Sequence, residues 1–178
     1  MKKRIEILRS LCFTGILLIS IFKVQAQHEA NYTIQSTIIY RFTKYIDWPA
    51  NKKSGDFIIG IVGDSPLYDD LKNFLNNKTV GNQKIVVTKI TASATSYDNC
   101  HMVFVSEEES GSLKRIATLT AGAPVLIITE YNGLAHKGSC INFITLNDRL
   151  KIEINRKNVE QRNLHIASEL LDLAIIIN

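Results

Sequence analysis

Residues 56–66 read DFIIGIVGDSP, and this stretch decides the fold class of the chain. Its branched apolar run, Phe57 to Val62, is typical of a strand that is buried on both faces. The turn that follows, Gly63 to Pro66, contains side chains that cap helices and a proline suited to a first helical turn. We therefore predict a buried strand, a tight turn, and a helix that ends near Asn77.

Further apolar runs repeat this pattern along the chain. Strands are predicted at residues 84–90, 101–105 and 124–129. Because helical segments alternate with them, the sheet should be mainly parallel. The last two runs, 140–146 and 150–154, are separated by only three residues, a length that suits a hairpin but no helical crossover. The predicted fold is a single-domain α/β three-layer sandwich: a mostly parallel sheet with an antiparallel C-terminal hairpin at its edge and helices on both faces.

Three helical segments complete the prediction. The first covers residues 29–46, with an apolar stripe formed by Ile34, Ile38, Phe42 and Tyr45 and flanked by Ile39 and Ile46. Pro49 should end it near Asp47. A second helix should be capped by Ser106 and begin with the acidic residues 107–109, where the helix dipole favours negative charge. The third prediction is one or two buried helical turns within residues 159–177.

The N-terminus has the features of a secretory signal peptide. A basic segment, residues 2–9, precedes an apolar run at residues 10–22, and Val24-Gln25-Ala26 offers small residues for cleavage after Ala26. A membrane anchor is the alternative, but the apolar run is shorter than the roughly 20 residues that span a bilayer. We expect a signal peptide at 1–26 and an exported domain at 27–178.

Removal of the leader changes the charge of the protein. The leader contains five basic residues and Glu6, a net charge of +4 that equals the charge of the whole chain. The exported domain is therefore close to neutral. Nucleic acid is not expected as a partner, because phosphate binding depends on clustered Lys and Arg.

The exported domain retains two cysteines, Cys100 and Cys140. In an oxidising compartment we expect them to form one disulfide. The alternative is a Cys2His2 metal set that also contains His101 and His136. That alternative is weaker because neither pair has the spacing of the usual zinc modules. No metal and no cofactor are predicted.

Candidate binding residues come from two places in the sequence. Asp64, Ser65 and Glu130 follow predicted strands, and open α/β sheets bind ligands at the carboxyl ends of their strands. Tyr45 and Trp48 lie at the end of the first helix, and tryptophan is common at contact surfaces. Core packing is the competing role for both aromatic residues.

Two other readings of these segments have less support. Gly60 and Gly63 flank a strand end but lack the third glycine of a dinucleotide fingerprint and the Gly-Lys-Ser/Thr of a phosphate loop. An enzyme would have to use Asp64, Ser65, Glu130 or a histidine. Ser65 is not in a nucleophile elbow, and no histidine has paired spacing with a carboxylate. No catalytic residues are predicted.

Several motifs together resemble the YfiR-like family of bacterial periplasmic proteins. They extend over essentially the whole exported domain and are Phe42-x-x-Tyr45-Ile46-x-Trp48-Pro49, residues 58–66, residues 100–106, residues 125–130, Gly138-x-x-Ile141-Asn142-Phe143, residues 150–155 and Ser168-x-Leu170-Leu171-x-Leu173-Ala174. One departure is Asn163, where a member of this family would be expected to have glycine in the turn before the last helix.

The resemblance implies a non-enzymatic regulator in the periplasm. Its best understood member is similar to an inhibitor that binds the periplasmic part of an inner-membrane diguanylate cyclase until envelope or redox stress releases it. Such proteins are often dimeric, and their disulfides maintain the inhibitory fold. We therefore expect regulation of an inner-membrane sensor, of the cyclase or kinase type, by protein contact. The alternative is a periplasmic small-molecule receptor, in which Tyr45, Trp48, Asp64 and Glu130 line a pocket.

Overall fold

The computed structural model describes residues 32–177. The predicted signal peptide, residues 1–26, lies outside the described residues. Within 32–177, no helix is both long enough and apolar enough to cross a membrane. The described helices are α1, which continues to residue 45, and α2 (Leu67–Phe74), α3 (Leu113–Leu119), α4 (Arg156–Glu160) and α5 (Ser168–Leu171). Short 3-10 segments occupy Ala50–Lys52, Ser110–Ser112 and Leu134–Lys137.

Ten strands are formed by the described residues. They are β1 (Ile46–Asp47), β2 (Phe57–Val62), β3 (Thr79–Val80), β4 (Gln83–Ile90), β5 (Met102–Val105), β6 (Leu126–Thr129), β7 (Ile141–Leu146), β8 (Arg149–Asn155), β9 (His165–Ile166) and β10 (Ile175–Ile177). Eight of them form one sheet in the order β10-β8-β7-β6-β5-β2-β4-β3, and β1 pairs with β9 separately. The predicted α/β sandwich with a mostly parallel sheet is confirmed.

The centre of the sheet is a run of five parallel strands. Strand β2 pairs with β4 on one side and with β5 on the other, and β6 and β7 continue the parallel run beyond β5. The chain moves in opposite directions from β2 to β4 and from β5 to β6. Since parallel crossovers are right-handed, α2 and α3 lie on opposite faces of the sheet. The carboxyl ends of β2 and β5 therefore form the topological switch point.

The predicted C-terminal hairpin is present, one strand inside the edge. Strands β7 and β8 pair antiparallel through a two-residue turn, Asn147 and Asp148, in which both residues have positive φ. Paired positive φ values match the right-handed twist of hairpin strands. The edge itself is β10, which pairs parallel with β8. The predicted helical turn within residues 159–177 is α5 (Ser168–Leu171), with Leu170 buried, and residues 175–177 beyond it form a strand.

Helix α1 runs antiparallel to the central strands, across one face of the sheet. Its buried stripe consists of Tyr32, Gln35, Ser36, Ile39, Phe42 and Thr43. Phe42 stacks on Phe143 of β7 with ring centroids 6.2 Å apart. The buried side of the helix is not centred where it was predicted. Ile34, expected on the stripe, is 48% exposed, while Ile39, expected beside it, is fully buried. The helix is rotated so that Gln35 and Ser36 face the protein interior.

The predicted capping of a helix by Ser106 is also wrong. Residues 107–109 form turns, and regular α-helix begins only at Leu113. The Glu109 backbone N–H donates to the Ser106 carbonyl oxygen, whereas the Ser106 hydroxyl is buried and has no hydrogen-bond partner. The polar residues that follow β5 therefore belong to a loop at the switch point.

Candidate functional site

The five predicted surface residues do not form one site. Trp48 lies at the amino end of the sheet, where it is only 4% exposed. Its ring meets Phe57 edge to face at 5.0 Å, and its Nε1–H donates to the His101 carbonyl oxygen at 3.3 Å. Trp48 is thus packed in the core of this structure.

Tyr45 and Asp64 do not lie beside Glu130 either, and Asp64 instead lines a separate open groove with Lys89 and Glu109. Tyr45 is half-buried against the core, and its carbonyl oxygen accepts from the Ala167 backbone N–H at 2.8 Å. Asp64 is largely exposed and forms an ion pair with Lys89 at 3.1 Å. Neither side chain lies beside Glu130 as the receptor hypothesis required.

Ser65 and Glu130 do lie at the same end of the sheet, and α1 connects them. The Tyr32 phenol is hydrogen-bonded to the Ser65 side chain, and Ser65 Oγ also accepts from the Leu67 backbone N–H. One turn further along α1, Gln35 Nε2 donates to Glu130 Oε2 at 3.4 Å. The other carboxylate oxygen of Glu130 accepts from the Glu107 backbone N–H at 3.3 Å. The N-terminal part of α1 therefore covers the carboxyl ends of the central strands.

A cavity of about 260 Å³ lies between α1 and these strand ends. We call it the carboxyl-end cavity. The residues that line it are Tyr32, Gln35, Glu107, Glu130, Tyr131, Asn132, Phe143, Ile144, Thr145 and Leu150. Its walls combine carboxylates and neutral polar groups with an apolar side from β7 and β8. Such a mixture is typical of small-molecule sites.

Three buried polar atoms near this end of the sheet lack hydrogen-bond partners, and Ser36 Oγ on α1 is one of them. Gln35 Oε1 is the second, although the whole residue is only 4% exposed. Ser106 Oγ is the third, and it lies close to the β2 terminus, where a Cβ on Gly63 would come within 2.2 Å of it. Leaving a buried acceptor unpaired costs on the order of 1–3 kcal/mol. Unpaired atoms beside a cavity are therefore places where a ligand gains binding energy.

The Tyr32 phenol at the carboxyl-end cavity is partly buried and has carboxylates near it. Burial raises the pKa of the Tyr32 phenol above its usual 10.0, and the nearby carboxylates of Glu130, Glu107 and Glu108 raise it further. A raised tyrosine pKa means that a second negative charge is unfavourable there.

The opposite end of the sheet is tightly packed. The His101 ring stacks on Phe57 with centroids 4.3 Å apart. Its Nδ1 accepts from the Ile58 backbone N–H at 3.1 Å, and its Nε2 donates to the Lys52 carbonyl oxygen at 2.8 Å. Burial lowers the pKa of His101 from its usual 6.5, so this ring is held in its neutral form. We call Trp48, Lys52, Phe57 and His101 the amino-end cluster.

The predicted disulfide between Cys100 and Cys140 is not formed, and both residues are buried free thiols. Cys100 precedes β5 and lies against Gly60, whereas Cys140 precedes β7 and contacts the Asn158 carbonyl oxygen. Strand β6 lies between β5 and β7, and neighbouring strands are about 4.8 Å apart. The Cα atoms are therefore too distant for a disulfide bridge. Burial raises the pKa of the Cys100 thiol to about 11 and also raises the pKa of Cys140.

The alternative metal set is not assembled either. Among residues 32–177, no three His, Cys, Asp or Glu side chains are grouped so that they could hold a metal ion. Both ring nitrogens of His101 are occupied by backbone groups, and His136 is exposed in a separate 3-10 segment. The thiols and histidines thus have independent environments.

The glycines of the weak phosphate-loop motif have structural roles. A Cβ on Gly60 would lie 2.3 Å from Ile90 Cδ1, so a larger residue there would have to displace the Ile90 side chain. Gly63 has φ of 92°, a left-handed conformation that glycine adopts without strain. Packing and turn geometry therefore account for both residues.

Sequence reasoning missed Tyr32, Gln35 and Glu107 as candidate site residues. Gln35 and Ser36 interrupt what would otherwise be a continuous apolar stripe at helical spacing. That interruption is the available signal, since a polar side chain on the buried face of a helix needs a partner or a ligand. Which strand ends these residues reach depends on long-range packing.

Comparison with known proteins supports the resemblance drawn from the motifs. The model of a family described as YfiR/HmsC-like matches residues 32–175 of this chain. No curated protein matches the chain. The match covers nearly all of the described residues, including the described part of α1, the central strands and the C-terminal hairpin.

Proposed function

The chain belongs to the YfiR/HmsC-like family, and from this membership we propose that it is a periplasmic regulator of an inner-membrane signalling protein. The expected partner is a diguanylate cyclase or a kinase-type sensor, and the expected effect is inhibition by protein contact. The predicted signal peptide and the near-neutral exported domain are consistent with this role. The family match over residues 32–175 is the observation that carries the proposal.

An affinity experiment on the exported protein tests this proposal. Tagged protein is expressed with its own leader, crosslinked in intact cells, and recovered from envelope extracts for mass spectrometry. We expect an inner-membrane protein with a periplasmic sensor region and a cytoplasmic cyclase or kinase domain. An Ile39→Asp variant is the control, because a charge at a fully buried position prevents folding and reports binding by unfolded chain.

A genetic measurement gives an independent result. Deletion of the gene should raise the cellular level of cyclic-di-GMP and increase biofilm formation if the partner is a cyclase under inhibition. If signalling is unchanged in the deletion strain and no membrane sensor is recovered, the proposed regulatory function is wrong.

The carboxyl-end cavity favours a second candidate function, a receptor for a small molecule. It is close in volume to a small metabolite, lies at the strand ends where α/β sheets bind ligands, and is lined by Gln35 with its unpaired buried oxygen. Of the four residues expected from the sequence, Glu130 lines this cavity, and Tyr32 and Gln35 line it in place of Tyr45, Trp48 and Asp64. A thermal-shift screen of metabolites tests it, and a hit should lose its effect when Gln35 is replaced by Met.

We further propose that the protein is not an enzyme, as the regulatory character of the family suggests. Ser65 Oγ is engaged with Tyr32 and with the start of α2, a role in capping and packing. Incubation with ester, phosphate and glycoside substrates should give no turnover above that of a Ser65→Ala variant.

A further inference from the structure

We propose that an open groove between α3 and α4 binds a phosphate group, carried by a small organic molecule or by a lipid headgroup. We call it the basic groove, because Lys114, Lys137 and Arg162 line it. It is a separate site from the carboxyl-end cavity. The inference goes beyond both the regulator and the receptor and depends on neither.

The basic groove lies on the opposite face of the sheet from α1. The chain moves in one direction from β5 through β6 to β7, so α3 and the 3-10 segment that follows β6 share a face. On α4, Asn158 Nδ2 donates to the Ala135 carbonyl oxygen of that segment at 3.4 Å, which places α4 on the same face. Helix α1 packs beside α2 on the other face, where the Tyr40 ring meets Phe74. All residues that line the groove lie between positions 114 and 162, and the described part of α1 contributes none of them.

Arg162 is the residue that points to an anionic ligand. It is only 5% exposed, yet it lines the groove. Among residues 32–177, its guanidinium makes one hydrogen bond, from Nη1 to the Asn158 carbonyl oxygen at 2.9 Å, and its Nε is buried without a partner. No Asp or Glu of this range forms an ion pair with it. A buried guanidinium that lacks acceptors is costly, so a ligand that supplies them gains binding energy.

The groups around Arg162 do not neutralise its charge. That charge acts on Cys140, but burial raises the pKa of the Cys140 thiol, which therefore stays uncharged. Glu160 on α4 pairs with Arg156 at 3.9 Å, and both of these side chains are exposed. Within the described part of the chain, the guanidinium thus has no countercharge.

Two lysines extend the positive charge along the groove. Lys114 on α3 and Lys137 are both exposed, and the ten described residues that line the groove include no Asp or Glu. A guanidinium forms paired hydrogen bonds with phosphate oxygens, while a lysine acts as a point charge on a flexible stem. Three cations around one groove suit a dianion with several oxygen atoms better than a carboxylate, which has one charge and two oxygens.

The space in the groove favours a phosphate ester over the bare ion. Its volume is about 530 Å³, which is more than one phosphate occupies. Ala117 and Ala121 contribute apolar wall, and the methylene stems of lysine side chains cover apolar surface as well. A short organic body attached to the phosphate therefore has a place to pack.

The experiment titrates the folded exported protein with inorganic phosphate and with glycerol phosphate at constant ionic strength. Calorimetry measures the affinity, and the NMR signal of the Arg162 Nε–H group reports the place of binding. Nitrate, a planar monoanion, is the matched control. We expect saturable binding of both phosphates with a shift of the Arg162 signal, and binding of nitrate at least about tenfold weaker.

Four variants locate the interaction. Arg162→Gln should weaken phosphate binding at least about tenfold, because it removes charge-assisted hydrogen bonds. Lys114→Gln and Lys137→Gln, at exposed positions that leave the fold intact, should each weaken it about threefold. Lys84→Gln removes the same charge from an exposed position on β4, towards the other edge of the sheet, and should leave the affinity unchanged. If the buried Arg162→Gln variant does not fold, as judged by circular dichroism, the two lysine variants decide.

Vesicles distinguish the two sources of the phosphate group. The protein is sedimented with phosphatidylglycerol vesicles, and phosphatidylcholine vesicles are the control. Binding to phosphatidylglycerol that is weakened in Lys114→Gln and Lys137→Gln identifies a lipid headgroup. Binding of the soluble phosphates without sedimentation identifies a soluble phosphate ester.

Four results would overturn the inference. They are no phosphate binding, equal binding of nitrate, natural affinity in both lysine variants, and saturation by phosphate without a shift of the Arg162 signal, since the ion would then bind elsewhere. The pull-down and the metabolite screen test the regulator and the receptor separately, so their outcomes do not decide this one.

Discussion

The two ends of the central sheet both bury polar groups, but they differ in whether those groups have hydrogen-bond partners. At the amino end, the Trp48 indole, the Lys52 carbonyl and the His101 ring all have hydrogen-bond partners, and aromatic rings fill the space between them. At the carboxyl end, Gln35 and Ser106 are equally buried but keep unpaired oxygen atoms, and a cavity separates α1 from the strands.

The difference shows how one helix serves two purposes. The C-terminal part of α1 leads directly into the amino-end cluster, which fixes its position, while its N-terminal part covers the cavity. Buried polar atoms that lack partners cost stability, so natural proteins retain them mainly where a ligand or a moving part uses them. The amino end should therefore be sensitive to substitution in folding, and the carboxyl end in binding.

The largest expected effect comes from Trp48→Ala at the amino end. Removal of a fully packed indole should lower the free energy of unfolding by about 3–5 kcal/mol. Urea denaturation followed by far-UV circular dichroism measures it. Trp48→Phe keeps an aromatic ring but loses the N–H bond to His101, and should cost only about 1–2 kcal/mol. Normal stability of Trp48→Ala with loss of regulation would make Trp48 part of a site instead.

Acidification should weaken the amino end through His101. Its folded pKa lies below the usual 6.5, so the unfolded chain binds the proton more readily. The contribution to stability is present above about pH 6.5 and is lost as pH falls through that range towards the folded pKa. Urea midpoints at pH 7.5, 6.5 and 5.5 measure the trend.

Two histidine variants assign this pH dependence. His101→Gln should be less stable at neutral pH and should lose much of the decline between pH 7.5 and 5.5. His136→Asn, at an exposed position, should retain the decline of the natural protein. An unchanged decline in His101→Gln would assign the effect to other groups.

At the carboxyl end, Gln35→Met should have little effect on folding. The substitution removes an unpaired buried oxygen and one long hydrogen bond to Glu130, and methionine has a similar shape. We expect a change of less than about 1 kcal/mol, of either sign. A loss above about 2 kcal/mol would mean that Gln35 is chiefly a structural residue.

A reducing agent should have the smallest effect of all. A disulfide that closes the 40-residue loop between Cys100 and Cys140 would contribute about 4 kcal/mol. Because both thiols are free, dithiothreitol should leave the urea midpoint unchanged. Thiol titration of the unfolded exported domain, without reductant, should find two thiols. A lower urea midpoint after reduction would show that the disulfide between Cys100 and Cys140 does form.

The sequence predicted the central elements because each carries its signal locally. The run from Phe57 to Val62 is branched and apolar throughout, as a strand between two parallel neighbours must be. The residues between β7 and β8 were too few for a crossover, and the antiparallel hairpin followed. Neither inference required knowledge of distant contacts.

The site was less predictable because it depends on which face of α1 packs on the sheet. Ile34 and Ile38 favoured one face by hydrophobicity, while the folded chain buries Gln35 and Ser36 on another. The even number of cysteines in the exported domain predicted a disulfide, which the strand order prevents. Residues 175–177 are all apolar, which fits a buried helix and a buried strand equally well. Only their pairing with β8 decides between the two.

The short pairing of β1 with β9 has a consequence for the folding kinetics. Ile46 pairs with Ile166, so this contact closes a loop of 120 residues, whereas the hairpin closes over two. The entropy lost in closing long loops makes such contacts late events in folding. Helix α1 should therefore dock after the central sheet has formed. During that interval the chain exposes the apolar face that α1 later covers, which makes a chaperone or rapid docking valuable to a newly exported molecule.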